Sequence, residues 1–370
     1  MKTPPVRPAA TALLLLTTLA GLAGAEPVTV RPEANPSLEV DLVAFGSCAR
    51  QTEPQPVWRA IRHARPDLFL MIGDNVYADW GSRQQTRAAY DTLAAQPGFR
   101  DLRAQCPILA IWDDHDYGVN DGGASFPHKK ATKAEFLRFF DPPPDSPLRQ
   151  REGLYDAHLF GPPGRQVQVI LLDTRSFRSD LVARPRSEHS RLGRYRPDDS
   201  PHATVLGDEQ WQWLAQQLTV PARLRLMVSS IQVIPDEHRF ERWALMPRER
   251  RRLFDLLAHS GADGVVLLSG DRHLAEISQL RPGADNPLRY PLYEVTSSGL
   301  NQRDEGIVQE PNRHRISTTS LRLANYGSVA VQWEDDDPLI TLATHRVDGR
   351  ALMAESFPLS FLSPQRRADP

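Results

Sequence analysis

Side chains that hold metals or move protons recur in short clusters along this sequence: Cys48, Asp74-Asn75, Tyr77, Asp79, Asp113-Asp114-His115-Asp116, Asp173, and Asp271 with His273. Carboxylates gathered at one place repel each other, and burial raises their pKa values, so a cluster of this density calls for bound cations. Carboxylate oxygens suit hard ions such as Ca²⁺, Mg²⁺, Mn²⁺ or Fe³⁺, whereas imidazole and thiolate favour softer or transition metals. The mixture therefore points to two unlike metals rather than one structural zinc. Two metals bridged by a carboxylate form a clamp for in-line displacement at phosphorus. Taken singly, each residue has a plainer reading: an aspartate after a strand caps or turns the chain, a histidine is a surface or core side chain, and a cysteine is a small buried hydrophobe. Asp79, beyond Tyr77, is expected to cap or turn its loop. The joint placement of the clusters carries the metal reading.

That placement follows from the apolar runs before them. Leu42–Phe45 leads into Gly46-Ser47-Cys48, Leu68–Ile72 into Gly73-Asp74-Asn75, and Ile108–Trp112 into Asp113–Asp116. Val169–Leu172 leads into Asp173-Thr174-Arg175, Leu226–Val228 into Ser229-Ser230, and Val265–Leu268 into Ser269-Gly270-Asp271-Arg272-His273. Each run is too short for a helix and lacks alternation, the pattern of strands buried on both faces. The chemistry thus sits at the carboxyl ends of strands, where α/β folds place ligands. Helical spacing appears between them: Val57, Ile61 and Ala64 after Pro56; Trp211, Leu214 and Leu218; and Leu253, Phe254, Leu256 and Leu257 after Pro247. Beyond Tyr290 the pattern is strands without helices, at 292–296, 329–333, 339–344 and 354–359. These are expected to form an antiparallel or mixed sheet closing the domain.

The 370 residues are 40% hydrophobic and 24% charged, and 44 basic against 46 acidic residues leave a net charge of −2. Disorder is excluded by this balance, and without a basic block nucleic acid is not expected as an obligate partner. Lys2 and Arg7, the apolar run from Ala9 to Leu22, and Ala23-Gly24-Ala25 read as a signal peptide over residues 1–25. Its run is broken by threonines and too short for a spanning helix, so export to the periplasm or exterior without a membrane anchor is expected. No Arg-Arg pair marks twin-arginine export. One domain is expected over 36–362, acting as a monomer, followed by a loose tail at 363–370. Cys48 and Cys106 are the two cysteines, too few for a disulfide-stapled scaffold. A Cys48–Cys106 bridge stays open beside a thiolate role for Cys48.

The segments Phe45-Gly46-Ser47-Cys48, Gly73-Asp74-Asn75-Val76-Tyr77-Ala78-Asp79, Trp112-Asp113-Asp114-His115-Asp116 and Ser269-Gly270-Asp271-Arg272-His273 resemble the alkaline phosphatase D branch of the calcineurin-like metallophosphoesterases. The resemblance extends to Leu206–Trp211, Glu241-Arg242-Trp243 and Thr296–Leu300. It implies a four-layer α/β/β/α sandwich and hydrolysis of a small-molecule phosphate mono- or diester. It implies Cys48, Asp74, Tyr77, Asp114, Asp271 and His273 as metal ligands, with Asp74 shared between two ions and Cys48 and Tyr77 on ferric iron. His115 is implied as the group that orients phosphate or protonates the leaving oxygen, and Asn75, Arg175 and Arg272 are the candidates for holding phosphate. Iron with calcium is the implied pair. A chain exported unfolded would take up metal outside the cytoplasm, which keeps Zn²⁺ or Mn²⁺ open. The short stretch between Ala25 and the first strand implies a form lacking the N-terminal β domain that such proteins often carry. Two rival classes remain: a serine or cysteine hydrolase using Ser47 or Cys48, although no Gly-x-Ser-x-Gly elbow occurs, and a non-catalytic Ca²⁺-dependent binding protein.

Overall fold

The computed structural model describes residue 1 and residues 33–364, apart from 303, 318 and 335. The expected signal peptide and most of the expected tail lie outside the described residues. Two mixed sheets face each other. One has six strands in the order Ala351–Pro358, Leu339–Arg346, Asn325–Gln332, Leu42–Gly46, Leu68–Ile72 and Ile108–Ile111. The other has nine, in the order Glu33–Asn35, Asp156–Phe160, Val167–Leu172, Leu224–Ser229, Val265–Ser269, Leu292–Ser297, Ala275–Leu280, Ser320–Arg322 and Gly306–Val308. Helices cover their outer faces, giving the α/β/β/α sandwich.

The apolar runs behave as buried strands for the expected reason: Leu68–Ile72, Val167–Leu172, Leu224–Ser229 and Val265–Ser269 are buried at every position. Leu42–Gly46, Leu68–Ile72 and Ile108–Ile111 run parallel, as do Val167–Leu172, Leu224–Ser229, Val265–Ser269 and Leu292–Ser297. Over the six-stranded sheet lie the helices Val57–Ala64, Arg83–Ala95, Pro97–Arg103 and Lys129–Phe140. An aromatic cluster joins them to it, with Trp58 edge-on to Phe69 at 5.7 Å between ring centroids and Tyr90 packed on Phe139 at 4.8 Å. Gly207–Gln217 and Pro247–Ser260 serve the nine-stranded sheet, the first tied to it by Gln210, whose side chain bonds both the amide and the carbonyl of Asp173.

Of the strands after Tyr290, Asn325–Gln332, Leu339–Arg346 and Ala351–Pro358 pair antiparallel with one another and complete a mixed sheet as expected, whereas the first strand, Leu292–Ser297, goes to the other sheet. Leu292–Ser297 inserts between Val265–Ser269 and Ala275–Leu280, while Asn325–Gln332 pairs antiparallel with Leu42–Gly46. Alternation alone cannot choose between joining an existing sheet and founding a new one, because both bury the same face. The two sheets meet at their carboxyl-end edge, where Ser47 and Ser298 form a parallel bridge and the amides of Gly299 and Leu300 both donate to the Ser47 carbonyl. All the strand-end clusters are therefore brought to one edge.

Candidate metal centre

Four non-glycine residues at this edge hold the sparsely populated left-handed backbone conformation: Cys48 (φ 62°), Asp74 (φ 48°), Asp271 (φ 64°) and His273 (φ 52°). Each directly ends or follows a strand-end motif, so the chain turns sharply and aims these side chains inward. Strain of this kind persists only where the surroundings hold it, and it concentrates at functional sites. Gly73 makes room for the approach: a Cβ there would sit 2.6 Å from Asp113 Cβ, and its φ of 114° excludes other residues in any case.

The side chains converge in overlapping sets whose ligand atoms lie within 4.8 Å of one another. Cys48, Asp74 and His273 form the first; Asp74, Asp114 and His115 the second; Asp113, Asp114 and Asp271 the third. Tyr77 completes the first set through its hydroxyl, 2.9 Å from His273 Nε2. Cys48 Sγ lies 3.4 Å from Asp74 Oδ2 and 3.1 Å from Ser298 Oγ, which also accepts the His273 amide at 2.7 Å. Both cysteines are free, so the bridge to Cys106 is not formed.

The donor chemistry fits two different cations. Sulfur, phenol and imidazole surround one position, and the carboxylates of Asp113, Asp114 and Asp271 surround the other, with Asp74 between them. Two buried carboxylate oxygens, Asp113 Oδ2 and Asp114 Oδ1, have no hydrogen-bond partner. A buried acceptor left this way is costly, and a cation would satisfy it. The electrostatics agree. Burial, then Cys48, Asp114 and Asp113, push the Asp74 carboxyl well above the usual range, and burial with Asp113 does the same to Asp271. Burial lifts Asp113 to about 7 and the Cys48 thiol to about 11. For Asp114, burial is overcome by Arg175 and His115, which hold it below its ordinary value. A bound cation reverses this logic by favouring every anionic form at once.

The structure brings Cys48, Asp74, Tyr77, Asp114, Asp271, His273 and His115 together. It redirects other expected residues. Asn75 is fully buried and turned away from the centre: its amide donates to the Ile111 carbonyl at 2.9 Å and to Asp116 Oδ2 at 2.5 Å, so it is not free to hold phosphate. Arg175 is likewise sealed, with Nε on Asp113 Oδ1 at 2.6 Å and a terminal nitrogen on Glu241 at 2.7 Å. It braces Asp113 from behind instead of facing substrate. Arg272 does line the cavity, but it is clamped by both oxygens of Glu310 and stacked 3.7 Å over the Phe240 ring. Asp79 is not a loop cap: its Oδ1 lies 2.8 Å from His115 Nδ1. The His115 ring also packs on Tyr77, with centroids 4.3 Å apart. Ser47 faces Cys48 Sγ and the Ser297 carbonyl, with no histidine among its hydrogen-bond partners, so it has no base to activate it.

Sequence reasoning missed Glu310, and it left Asp113 without a ligand role. Asp113 carried a signal, since it opens the same motif as Asp114, but only its neighbours reveal which oxygen is spare. The centre opens into a cavity of about 630 Å³ lined by Asp74, Asp114, His115, Asp271, Arg272 and His273 among others.

Comparison with known proteins places this architecture. The model of the PhoD-like phosphatase family matches residues 43–337. Alkaline phosphatase D of Bacillus subtilis (strain 168) is 23% identical over 292 residues, 64% of this chain and 46% of that protein. The chain therefore spans about half the length of that relative. A solved structure of PhoD superposes with a TM-score of 0.62 at 17% identity, covering 87% of this chain and 73% of the other. With the family model spanning all four strand-end motifs of the centre, the chain belongs to the PhoD-like phosphatase family.

Proposed function

We propose that this protein is a metal-dependent phosphoesterase that hydrolyses phosphate mono- or diesters of small molecules. The observation that carries the reading is Asp74, which stands in both the sulfur–imidazole set and an oxygen-rich one. Cys48, Tyr77, His273 and Asp74 would hold ferric iron, and Asp74, Asp113, Asp114 and Asp271 would hold Ca²⁺, with Zn²⁺ or Mn²⁺ as alternatives. When bound, the ions supply Lewis-acid charge for the phosphoryl group and acidify the attacking water.

The chain's own residues supply the rest. His115 lines the cavity, and its Nδ1 is engaged by Asp79. The carboxylate fixes the ring and leaves Nε2 to carry the proton passed to the departing oxygen. Tyr77 supports the ring face. Arg272, preset by Glu310 and Phe240, offers a cavity-lining guanidinium, next in sequence to Asp271, for the substrate's oxygens.

No helix among the described residues is long and apolar enough to cross a membrane, and the leader pattern of residues 1–25 supports export to the periplasm or exterior. The test is turnover of nitrophenyl phosphate and of a bis-nitrophenyl phosphodiester by the purified chain. Activity abolished by a chelator and regained with iron and calcium supports the reading; chelator-resistant activity, or none on either ester, contradicts it.

A further inference from the structure

The cavity's floor and one of its walls carry opposite charge. Asp74, Asp114 and Asp271 make an acidic floor, whereas His189, Arg194 and Arg239 line the wall. The wall is built from the segment joining the short strands Val182–Ala183 and Tyr195–Arg196, together with the Arg239 loop. Arg186 and Arg191 in that segment, and Arg196 in the strand after it, are also exposed but do not line the cavity. With Arg272, three arginines line a cavity whose floor is acidic.

This wall is held in place. Tyr195 donates its hydroxyl to Asp121 Oδ2 at 2.8 Å, and Arg184 donates Nε to the Tyr195 carbonyl at 2.8 Å and its amide to the Arg194 carbonyl at 2.7 Å. Gly193, at φ 82°, lies so close to the Arg239 loop that a Cβ there would stand 2.1 Å from the Arg239 carbonyl oxygen. The Arg239 guanidinium donates to the Ser190 carbonyl.

The charges on the wall are largely uncompensated. The side chain of Arg194 is 68% exposed, and the carboxylate recorded near it, Asp121, is 3.9 Å away. Arg239 pairs with no carboxylate among the described residues. Cations on the floor would neutralise the carboxylates there but would do nothing for the wall. Guanidinium groups are suited to phosphate oxygens. The volume of about 630 Å³ falls in the range that takes a whole organic ligand. Phe240, 49% exposed, offers an apolar surface between floor and wall.

We propose that the cavity selects phosphoesters bearing a second phosphate, held by Arg194 and Arg239 while the scissile group sits over the acidic floor. This rests on the phosphoesterase reading and adds the substrate class to it. The test compares two chromogenic substrates, a nitrophenyl phosphodiester of a nucleoside with and without an additional phosphate on the sugar. Their scissile bonds and leaving groups are identical. The added phosphate is expected to raise kcat/KM about tenfold through KM, the usual worth of one charge-assisted contact, and added salt should erode the gain. In the Arg194→Gln/Arg239→Gln double variant the plain ester should turn over within roughly twofold of wild type, the usual tolerance of a surface change, and the gain should vanish. A wild type indifferent to the extra phosphate, or a double variant that keeps the preference, overturns the proposal while leaving the phosphoesterase reading intact. Turnover of neither ester overturns both.

Discussion

Asp79 Oδ1 lies 2.8 Å from His115 Nδ1, a contact that spans 36 residues of sequence and joins the end of one strand-end motif to the middle of the next. The carboxylate is 62% exposed and the ring 19% exposed, and of the two it is His115 that lines the cavity, with Asp79 behind it.

The pair predicts a graded pattern of loss. His115→Ala should retain both metals and lose about 10²–10⁴-fold in kcat on an alkyl phosphoester. Asp79→Asn should lose less, about 10–100-fold, the usual cost of removing a group that orients another. Both losses should shrink for nitrophenyl esters, whose leaving group needs little protonation. Steady-state kinetics on the two ester types with parallel metal analysis checks this. Equal losses on both types would make His115 a phosphate-positioning group.

Arg175 should prove structural. Its guanidinium is sealed between Asp113 and Glu241, with Arg178 Nε 3.0 Å from the other Glu241 oxygen. Removing one member of a buried ionic group strands the others, so Arg175→Ala should cost about 3–5 kcal/mol of stability. A thermal melt checks it, and KM of the protein that remains folded should be unchanged. A raised KM with an unaltered melting temperature would restore the phosphate-binding role.

The contrast between Arg175 and Arg272 shows where the sequence stops informing. Both follow an aspartate at a strand end, and strand-end position alone sends both to the same edge. The side-chain direction depends on partners far away in sequence, Glu241 for one and Glu310 for the other, which no local pattern encodes. The same holds for Asn75, drawn into the core by Asp116, and for Asp79, whose partner belongs to the next motif. The sheet-forming runs were legible because burial on both faces leaves an unbroken apolar signature. The residues in the left-handed conformation were legible as motif members but not as strained turns. Helices such as Arg83–Ala95 and Lys129–Phe140 escaped because arginine, lysine and glutamine interrupt their apolar faces. The arginine-lined wall escaped because its charges are separated by Ser187, Glu188, Leu192 and Gly193, which keeps them from forming a block.

Glu135 predicts a pH-dependent stability away from the centre. Burial would raise its pKa, but Arg87, Arg83 and Arg138 each donate to its carboxylate and draw it down from an ordinary 4.5 to about 2. A carboxylate depressed in the folded state stabilises fully above the unfolded value, and the contribution is lost as pH falls from about 4.5 through about 2. The arginines are partly exposed, and solvent screening reduces the effect to about 2 kcal/mol. Glu135→Gln should lower stability at neutral pH by that order and flatten the acid limb of a denaturation series. An unchanged acid limb would show that the three arginines do not act together.

Whether Asp74 joins two unlike metal positions is read most directly by elemental analysis of the purified full chain beside Asp74→Asn. The wild-type chain should carry two metal equivalents, one of them iron with a visible phenolate-to-iron absorption from Tyr77. Asp74→Asn should lose metal from both positions together with phosphoester turnover. An active wild-type enzyme without metal, or an Asp74→Asn protein retaining both ions and full turnover, would contradict that role for Asp74.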